Sequence, residues 1–207
     1  IADKAIISSG NTISNIIITG LGGSGIGGTI ISELVNDTCK VPIIINKDYF
    51  LPAFANENTL VIVSSYSGNT EETLQVMNEA IARKTQLVCV TSGGTVLDLA
   101  KQHQFEYIEI PGGFPPRSCI GYSLVQLIKI FIAKGFADAK LMSDLQASIQ
   151  LLESKKAEIK SSAEVIAKKL TNKIAVLYSL GSCEGTSVRF RQQISENSKA
   201  LCWHHVF

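Results

Sequence analysis

The sequence predicts an α/β fold: a doubly wound, parallel five-stranded sheet flanked by helices, followed by the start of a second, similar domain. Three observations carry this expectation. Five short β-branched runs alternate with longer segments of helical spacing in the first 134 residues. Most of those runs are apolar on both faces, as the strands of a covered parallel sheet must be. A glycine- and hydroxyl-rich turn follows the first run, and a shorter version of it returns at Leu180-Gly181-Ser182.

The first strand is NIIIT (15–19), and GLGGSGIGGTI (20–30) reads as its turn into a helix. Gly20, Gly22 and Gly25 match the dinucleotide fingerprint G-x-G-x-x-G. Alone that pattern is weak, because tight strand-to-helix turns often need glycine. VPIIIN (41–46), TLVIVSS (59–65), QLVCVTS (86–92) and FEYIEI (105–110) read as the other four strands. Between the third and fourth, Leu74, Met77 and Ile81 recur at helical spacing. Asn69 with Glu72 fits a capping box, which predicts a helix start at Asn69 or Thr70. IGYSLVQLIKIFIA (120–133) is apolar almost all round, as a central core helix or a buried dimer contact would be.

Past residue 134 the chain becomes polar and amphipathic, and 135–171 is expected to form one or two linking helices. KIAVLYSLGSCEGTSVRF (173–190) then begins again with a strand and a Gly/Ser loop. The expected organisation is a first domain over 1–134, linking helices over 135–171, and the beginning of a second domain over 172–207. An α/β domain usually needs ~100 residues or more, so the chain is expected to stop part-way through the second.

Composition narrows the function classes. A net charge of +1, with 19 basic and 18 acidic residues well mixed, offers no basic stripe for nucleic acid. SLVQLIKIFIAKGF (123–136) is interrupted by Gln126 and Lys129 and is too short for a membrane span. The first residues lack a signal-peptide pattern. The five cysteines are scattered and odd in number, which points to a reducing cytosol, with no disulfide framework or metal pair. His103, His204 and His205 read as surface residues; no Cys or carboxylate has metal-ligand spacing to them.

The second hydroxyl loop narrows the ligand. SSYSGNTEET (64–73) crowds Ser65, Ser67, Asn69 and Thr70 around Gly68, at the positive end of the following helix. Amides and hydroxyls there make an anion site. A dinucleotide fold would use one glycine loop and an acidic residue after the second strand, for which Asp48 is placed. It gives no reason for a hydroxyl loop after the third strand. Walker A is absent, since no Gly-Lys-Ser/Thr follows the glycines. Ligands of such sheets bind at the carboxyl ends of the strands, near the switch in strand order.

GLGGSGIGG, SSYSGNTEETL, GGFPPRSCIGYSL and RFRQQISENSKAL stand in one order along nearly the whole chain. In this the sequence resembles the bifunctional phosphoglucose/phosphomannose isomerases of the sugar isomerase (SIS) superfamily. Ser-x-Ser-Gly-Asn-Thr-x-Glu is fairly specific to SIS domains. The Pro-Arg and Glu-Asn-x-Lys pieces narrow the match to the isomerases. The resemblance implies two SIS domains and a hexose 6-phosphate substrate in glycolysis and gluconeogenesis, with no cofactor and no metal. It implies a cytoplasmic homodimer with no nucleic acid and no membrane as partner. It also implies that Ser24 with Gly23 and Gly25, and Ser65, Ser67 and Thr70, grip the sugar phosphate. Arg117 matches the arginine facing the reacting carbons, and Glu196 the catalytic base. The family's ring-opening histidine lies in an Asn-His-Asn segment that these 207 residues do not contain, and CWHHVF does not match it. The 207-residue chain itself is therefore expected to be a poor catalyst.

Pattern alone treats two of these residues differently. Glu196 would share a helix with Phe190, Ile194 and Leu201 and read as solvated, and Arg117 would be an ordinary loop charge. Two rivals remain open at this point. A SIS module that only senses a sugar phosphate needs both hydroxyl loops but neither Glu196 nor Arg117. A nicotinamide-dependent dehydrogenase would use only the first loop.

Overall fold

A computed structural model describes residues 12–207. The expectation of no signal peptide falls on residues 1–11, outside the described residues. The chain divides into two compact units between Ala137 and Asp138.

The first unit runs β1 (Asn15–Thr19), α1 (Gly22–Leu34), β2 (Ile43–Asn46), β3 (Thr59–Ser65), α2 (Glu71–Ala82), β4 (Gln86–Thr91), α3 (Gly94–Gln102), β5 (Glu106–Glu109) and α4 (Ile120–Ala133). The strands form one parallel sheet in the order β2-β1-β3-β4-β5. This is the doubly wound order, with its switch between β1 and β3. All five expected strands are present. The second is shorter than its apolar run, starting at Ile43 rather than Val41. Pro42 has no N–H for the ladder, and its carbonyl instead accepts the Ile16 N–H at 2.9 Å.

Both faces of the sheet are covered. Ile17, Val61, Val63 and Cys89 pack with Val76, Met77 and Ala80 of α2 and Val96 and Ala100 of α3. The alternate residues, Ile16, Ile18, Leu60, Ile62, Val88 and Val90, are buried on the opposite face. Fully burying each such side chain stabilises the unit by about 1.5–3 kcal/mol. On that face α1 packs against the strands and against α4. Its glycines permit the fit: a Cβ on Gly28 would stand 2.9 Å from Ile18 Cγ2, and one on Gly27 would stand 3.2 Å from Leu127 Cδ1. Helix α4 buries Leu127, Ile130 and Phe131, while Tyr122 at its start is exposed.

The second unit holds α5 (Lys140–Ser154), α6 (Lys156–Leu170), β6 (Ala175–Ser179), α7 (Glu184–Gln193) and β7 (Cys202–Val206). The polar stretch forms two helices, meeting at Lys155. Strand β6, the Gly181–Cys183 turn and α7 repeat the strand–glycine turn–helix order of β1 and α1. Strand β7 was not expected from its sequence, CWHHV. It pairs in parallel with β6 from Ala175↔Cys202 to Ser179↔Val206. This corrects the reading of His204 as a surface residue. Its side chain keeps only 15% of its accessible surface, and Nε2 lies 3.8 Å from Glu184 Oε1. His205, on the opposite face, is exposed.

Candidate functional site

The carboxyl ends of β1 and β3 lie side by side, and each leads into a helix across a short loop. A Cβ on Gly20 would stand 2.5 Å from the Ser64 carbonyl, so glycine lets the two loops touch. They are also stitched by hydrogen bonds. The Tyr66 N–H donates to Ser24 Oγ at 3.0 Å, and Ser64 Oγ donates to the Ser24 carbonyl at 3.4 Å. Because Ser24 Oγ accepts from Tyr66, its own proton remains available to donate to an anion.

The loop after β3 is held by its own hydroxyls. Ser65, 2% exposed, accepts the Gly68 N–H at 3.2 Å and shares a hydrogen bond with Thr70 Oγ1 at 3.2 Å. Ser67 is exposed, and its Oγ accepts the Asn69 N–H at 3.3 Å, which again leaves a hydroxyl proton to offer. Gly68 has φ +68°, a left-handed conformation that glycine adopts without strain.

The expected capping box is not formed. Helix α2 begins at Glu71 with Thr70 at its cap and no side-chain cap bond. Asn69 Oδ1 instead accepts from the Thr95 N–H and the Thr95 hydroxyl, each at 3.0 Å, and so holds the start of α3. Helix α1 likewise has no side-chain cap. The amides of a helix's first turn have no intrahelical partner, so two uncapped helix starts flank the switch point and present donors to an anion. Glu71 and Glu72 occupy the first turn of α2, whereas α1 has no acidic residue there. At about 0.3–1 kcal/mol per charge at such a terminus, α1 is the better seat for a phosphate.

Arg117 sits in a short turn, Pro116–Ser118, ahead of α4. This turn packs on α1. A Cβ on Gly23 would stand 3.0 Å from the Pro116 carbonyl oxygen and 4.0 Å from the Arg117 Cα. Glycine at 23 therefore admits the Arg117 turn over the first turn of α1. Gly25 serves the turn itself, since a Cβ there would stand 2.9 Å from the Gly20 carbonyl carbon. The first unit thus brings Gly23, Ser24, Gly25, Ser65, Ser67, Thr70 and Arg117 to one end of its sheet.

Glu196 belongs to the second unit. It stands exposed on one turn of π-helix, Ile194–Ser198, which follows α7. Such single turns are frequent at functional sites. The expected helix does not extend to Leu201: it ends at Lys199, whose φ of +53° is left-handed. Within this unit, burial pulls the Arg189 guanidinium down, and the nearby Glu196 carboxylate pushes it back up.

Several residues of the crevice at the sheet end were not singled out in the sequence. Tyr66, Ser64, Cys119 and Ser123 line it together with Gly23, Ser24 and Pro116. Burial, and then a hydrogen bond with the Cys119 side chain, push the Tyr66 phenol up. The one signal was position: Tyr66 stands between two serines already assigned to the anion.

The chain is similar to known proteins in both sequence and fold. Residues 159–207 match the family described as bacterial phospho-glucose isomerase C-terminal SIS domain. A bifunctional phosphoglucose/phosphomannose isomerase from Caldicellulosiruptor bescii is 40% identical over 202 residues, covering 94% of this chain and 60% of that protein. One from Thermoplasma acidophilum is 36% identical over 200 residues, covering 95% and 59%. The chain therefore spans about three fifths of the length of these relatives. Among solved structures, a putative phosphosugar isomerase from Bacillus subtilis aligns with a TM-score of 0.71 at 18% identity, covering 95% of this chain and 63% of that one. The last likeness establishes the fold alone. Nearly the whole chain is thus similar in sequence to the bifunctional phosphoglucose/phosphomannose isomerases, and its residues 159–207 match a SIS domain of that kind.

Proposed function

We propose that the full-length protein interconverts glucose 6-phosphate or mannose 6-phosphate with fructose 6-phosphate. The observation that carries this reading is the pair of hydroxyl loops joined by the Tyr66–Ser24 bond at the switch point, with the Arg117 turn packed on α1. Residues 1–134 act as a first SIS domain, 135–171 as linking helices, and 172–207 as the beginning of a second. The protein works in the cytoplasm as a homodimer that buries part of α4, whose Leu124, Val125 and Ile132 are only half-buried within the unit. Light scattering that returns a monomer mass at micromolar concentration would count against the dimer.

In this reading the phosphate is a handle. Ser24, Ser67 and Thr70 hydroxyls and the amide of Gly23 hold it, with Gly25 closing the turn through its N–H bond to the Leu21 carbonyl at 3.2 Å, and its binding energy orients the sugar. The Glu196 carboxylate removes the C2 proton of the open-chain aldose and returns it to C1, through a cis-enediol intermediate. The Arg117 guanidinium stabilises the negative charge that develops on the oxygen. The transfer moves one proton and no hydride, so it calls for neither metal nor redox cofactor. The dehydrogenase reading gives no use to the hydroxyl loop after β3, which the Tyr66–Ser24 bond joins to the first loop.

Replacing Glu196 by Gln in the full-length protein tests the assignment. Turnover of fructose 6-phosphate in a coupled assay should fall at least ~100-fold, and exchange of C2 deuterium with solvent should stop. Affinity for the sugar phosphate should barely change. Wild-type turnover by the variant would remove Glu196 from the mechanism. Tight binding without turnover by either protein would favour a sugar-phosphate sensor.

A further inference from the structure

Arg117 stands at the end of an exposed loop, in the turn that packs on α1. Residues 111–118 are all exposed, and Cys119 is the first buried residue after Ile110. The upstream half is pliable: Gly112 and Gly113 follow Pro111, and Gly113 has φ +85°. The downstream half is stiff, because Pro115 and Pro116 fix their own backbone angles and lack amide hydrogens. Phe114 N–H is therefore the last backbone donor ahead of Arg117. That donor is used: it gives its hydrogen to the Tyr66 phenol oxygen at 3.0 Å, across 48 residues of chain.

Tyr66 is fastened elsewhere as well, and its phenol also hydrogen-bonds the Cys119 side chain, two residues past Arg117. Its N–H is bonded to Ser24 Oγ at 3.0 Å. Its carbonyl accepts from the Ser92 N–H at 3.0 Å and from the Ser92 hydroxyl at 2.6 Å. Its neighbours in the chain are Ser65 and Ser67. One residue therefore ties the loops after β1, β3, β4 and β5 together. Its phenol holds the rigid Pro-Pro lever that ends in Arg117.

We propose that Tyr66 is a positioning residue, whose phenol anchors the Arg117 loop to the phosphate-binding loop through the Phe114 amide. This rests on the role given above to Arg117 as the group that stabilises the enediolate. Anchoring aligns the guanidinium with the reacting carbons, while the backbone of the same residue orders the two loops whose hydroxyls hold the phosphate. Loss of the phenol frees Phe114 and swings the lever, but leaves the backbone bonds of Tyr66 to Ser24 and Ser92 in place. Phosphate binding and turnover are thereby separable.

The test is a double-mutant cycle in the full-length protein, with Tyr66→Phe, Arg117→Ala and the pair. Tyr66→Phe should lower kcat for fructose 6-phosphate about 10-fold or more, since small misplacements of a catalytic group carry penalties of this order. Inhibition by inorganic phosphate should stay within about twofold, as its donors are untouched. In the Arg117→Ala background the second substitution should have no further effect on kcat. Hydrogen exchange read by mass spectrometry should show faster exchange in the peptide holding Phe114 and no change in the one holding 64–70. Independent, multiplying losses overturn the proposal, as does unchanged exchange at Phe114. If Arg117→Ala itself turns over like the wild type, the role of Arg117 fails first and the proposal falls with it.

Discussion

Replacing Gly68 by alanine puts the hydroxyl loop after β3 under strain that its geometry makes calculable. Gly68 has φ +68°, where a residue bearing a Cβ loses about 1–2 kcal/mol. The added Cβ would stand 2.8 Å from the Gly93 carbonyl carbon, 2.9 Å from Thr91 Oγ1, and closer still to the Gly93 carbonyl oxygen. Ordinary contact begins near 3.4 Å, and two of these atoms are backbone, so the loops after β3 and β4 must separate. Separation endangers the Val96 N–H bond to the Gly68 carbonyl at 3.0 Å and the Gly68 N–H bond to Ser65 at 3.2 Å. At about 1 kcal/mol for each of the two bonds, plus the backbone strain, the total is about 3–4 kcal/mol. Urea unfolding followed by circular dichroism reads this directly. Gly121→Ala is the matched control: Gly121 lies in α4, with nothing within 4 Å of its Cβ position. It should be neutral or stabilise by up to about 1 kcal/mol. Calorimetric titration with fructose 6-phosphate should show weakened binding for Gly68→Ala only. A Gly68→Ala protein as stable as the wild type, with unchanged affinity, would refute the reasoning.

The remaining predictions concern the hydroxyls and the core. Replacing Ser67 and Thr70 together by alanine should weaken sugar-phosphate binding by about 1–3 kcal/mol, if each gives a hydrogen bond to a charged group; an unchanged titration would move the anion elsewhere. Burial pushes the Cys89 thiol in β4 from 9.0 up to about 12. The native state thus favours the protonated thiol, and its contribution is fully present below pH 9 and lost as pH rises toward 12. By pH 11 the loss should reach about 2–3 kcal/mol. A Cys89→Ala protein should lack this part of the alkaline decline, and identical pH profiles for the two proteins would discount the thiol.

What the sequence determined by itself is whatever rests on neighbours along the chain. Runs such as TLVIVSS and QLVCVTS are apolar on both faces, and only a strand covered on both sides accommodates them. Leu74, Met77 and Ile81 mark the core-facing side of α2 by their spacing, with Met77 fully buried and the other two packed at the edge of the core. Gly20 to Gly25 and Ser64 to Thr70 announced loops made for an anion, because glycine and short hydroxyls at helix starts have that physical use. The family motifs carried Arg117 and Glu196, to which local pattern assigned nothing.

Tertiary structure decided what depends on partners far apart in sequence. Asn69 had the spacing of a cap for α2, yet Thr95 in the first turn of α3 offers it two donors, and it holds α3 instead. CWHHV has too little apolar alternation to announce a strand, and β6 supplies the parallel ladder that makes it one. The placement of β1 beside β3 brings Ser24 to Tyr66 across 42 residues, and the fold of the β5–α4 loop brings Phe114 to the same tyrosine across 48. Loop closure over such distances is compensated only when many contacts form together. No local window of sequence contains that cooperation, so the residue that ties the loops of the site together became visible only in the folded unit.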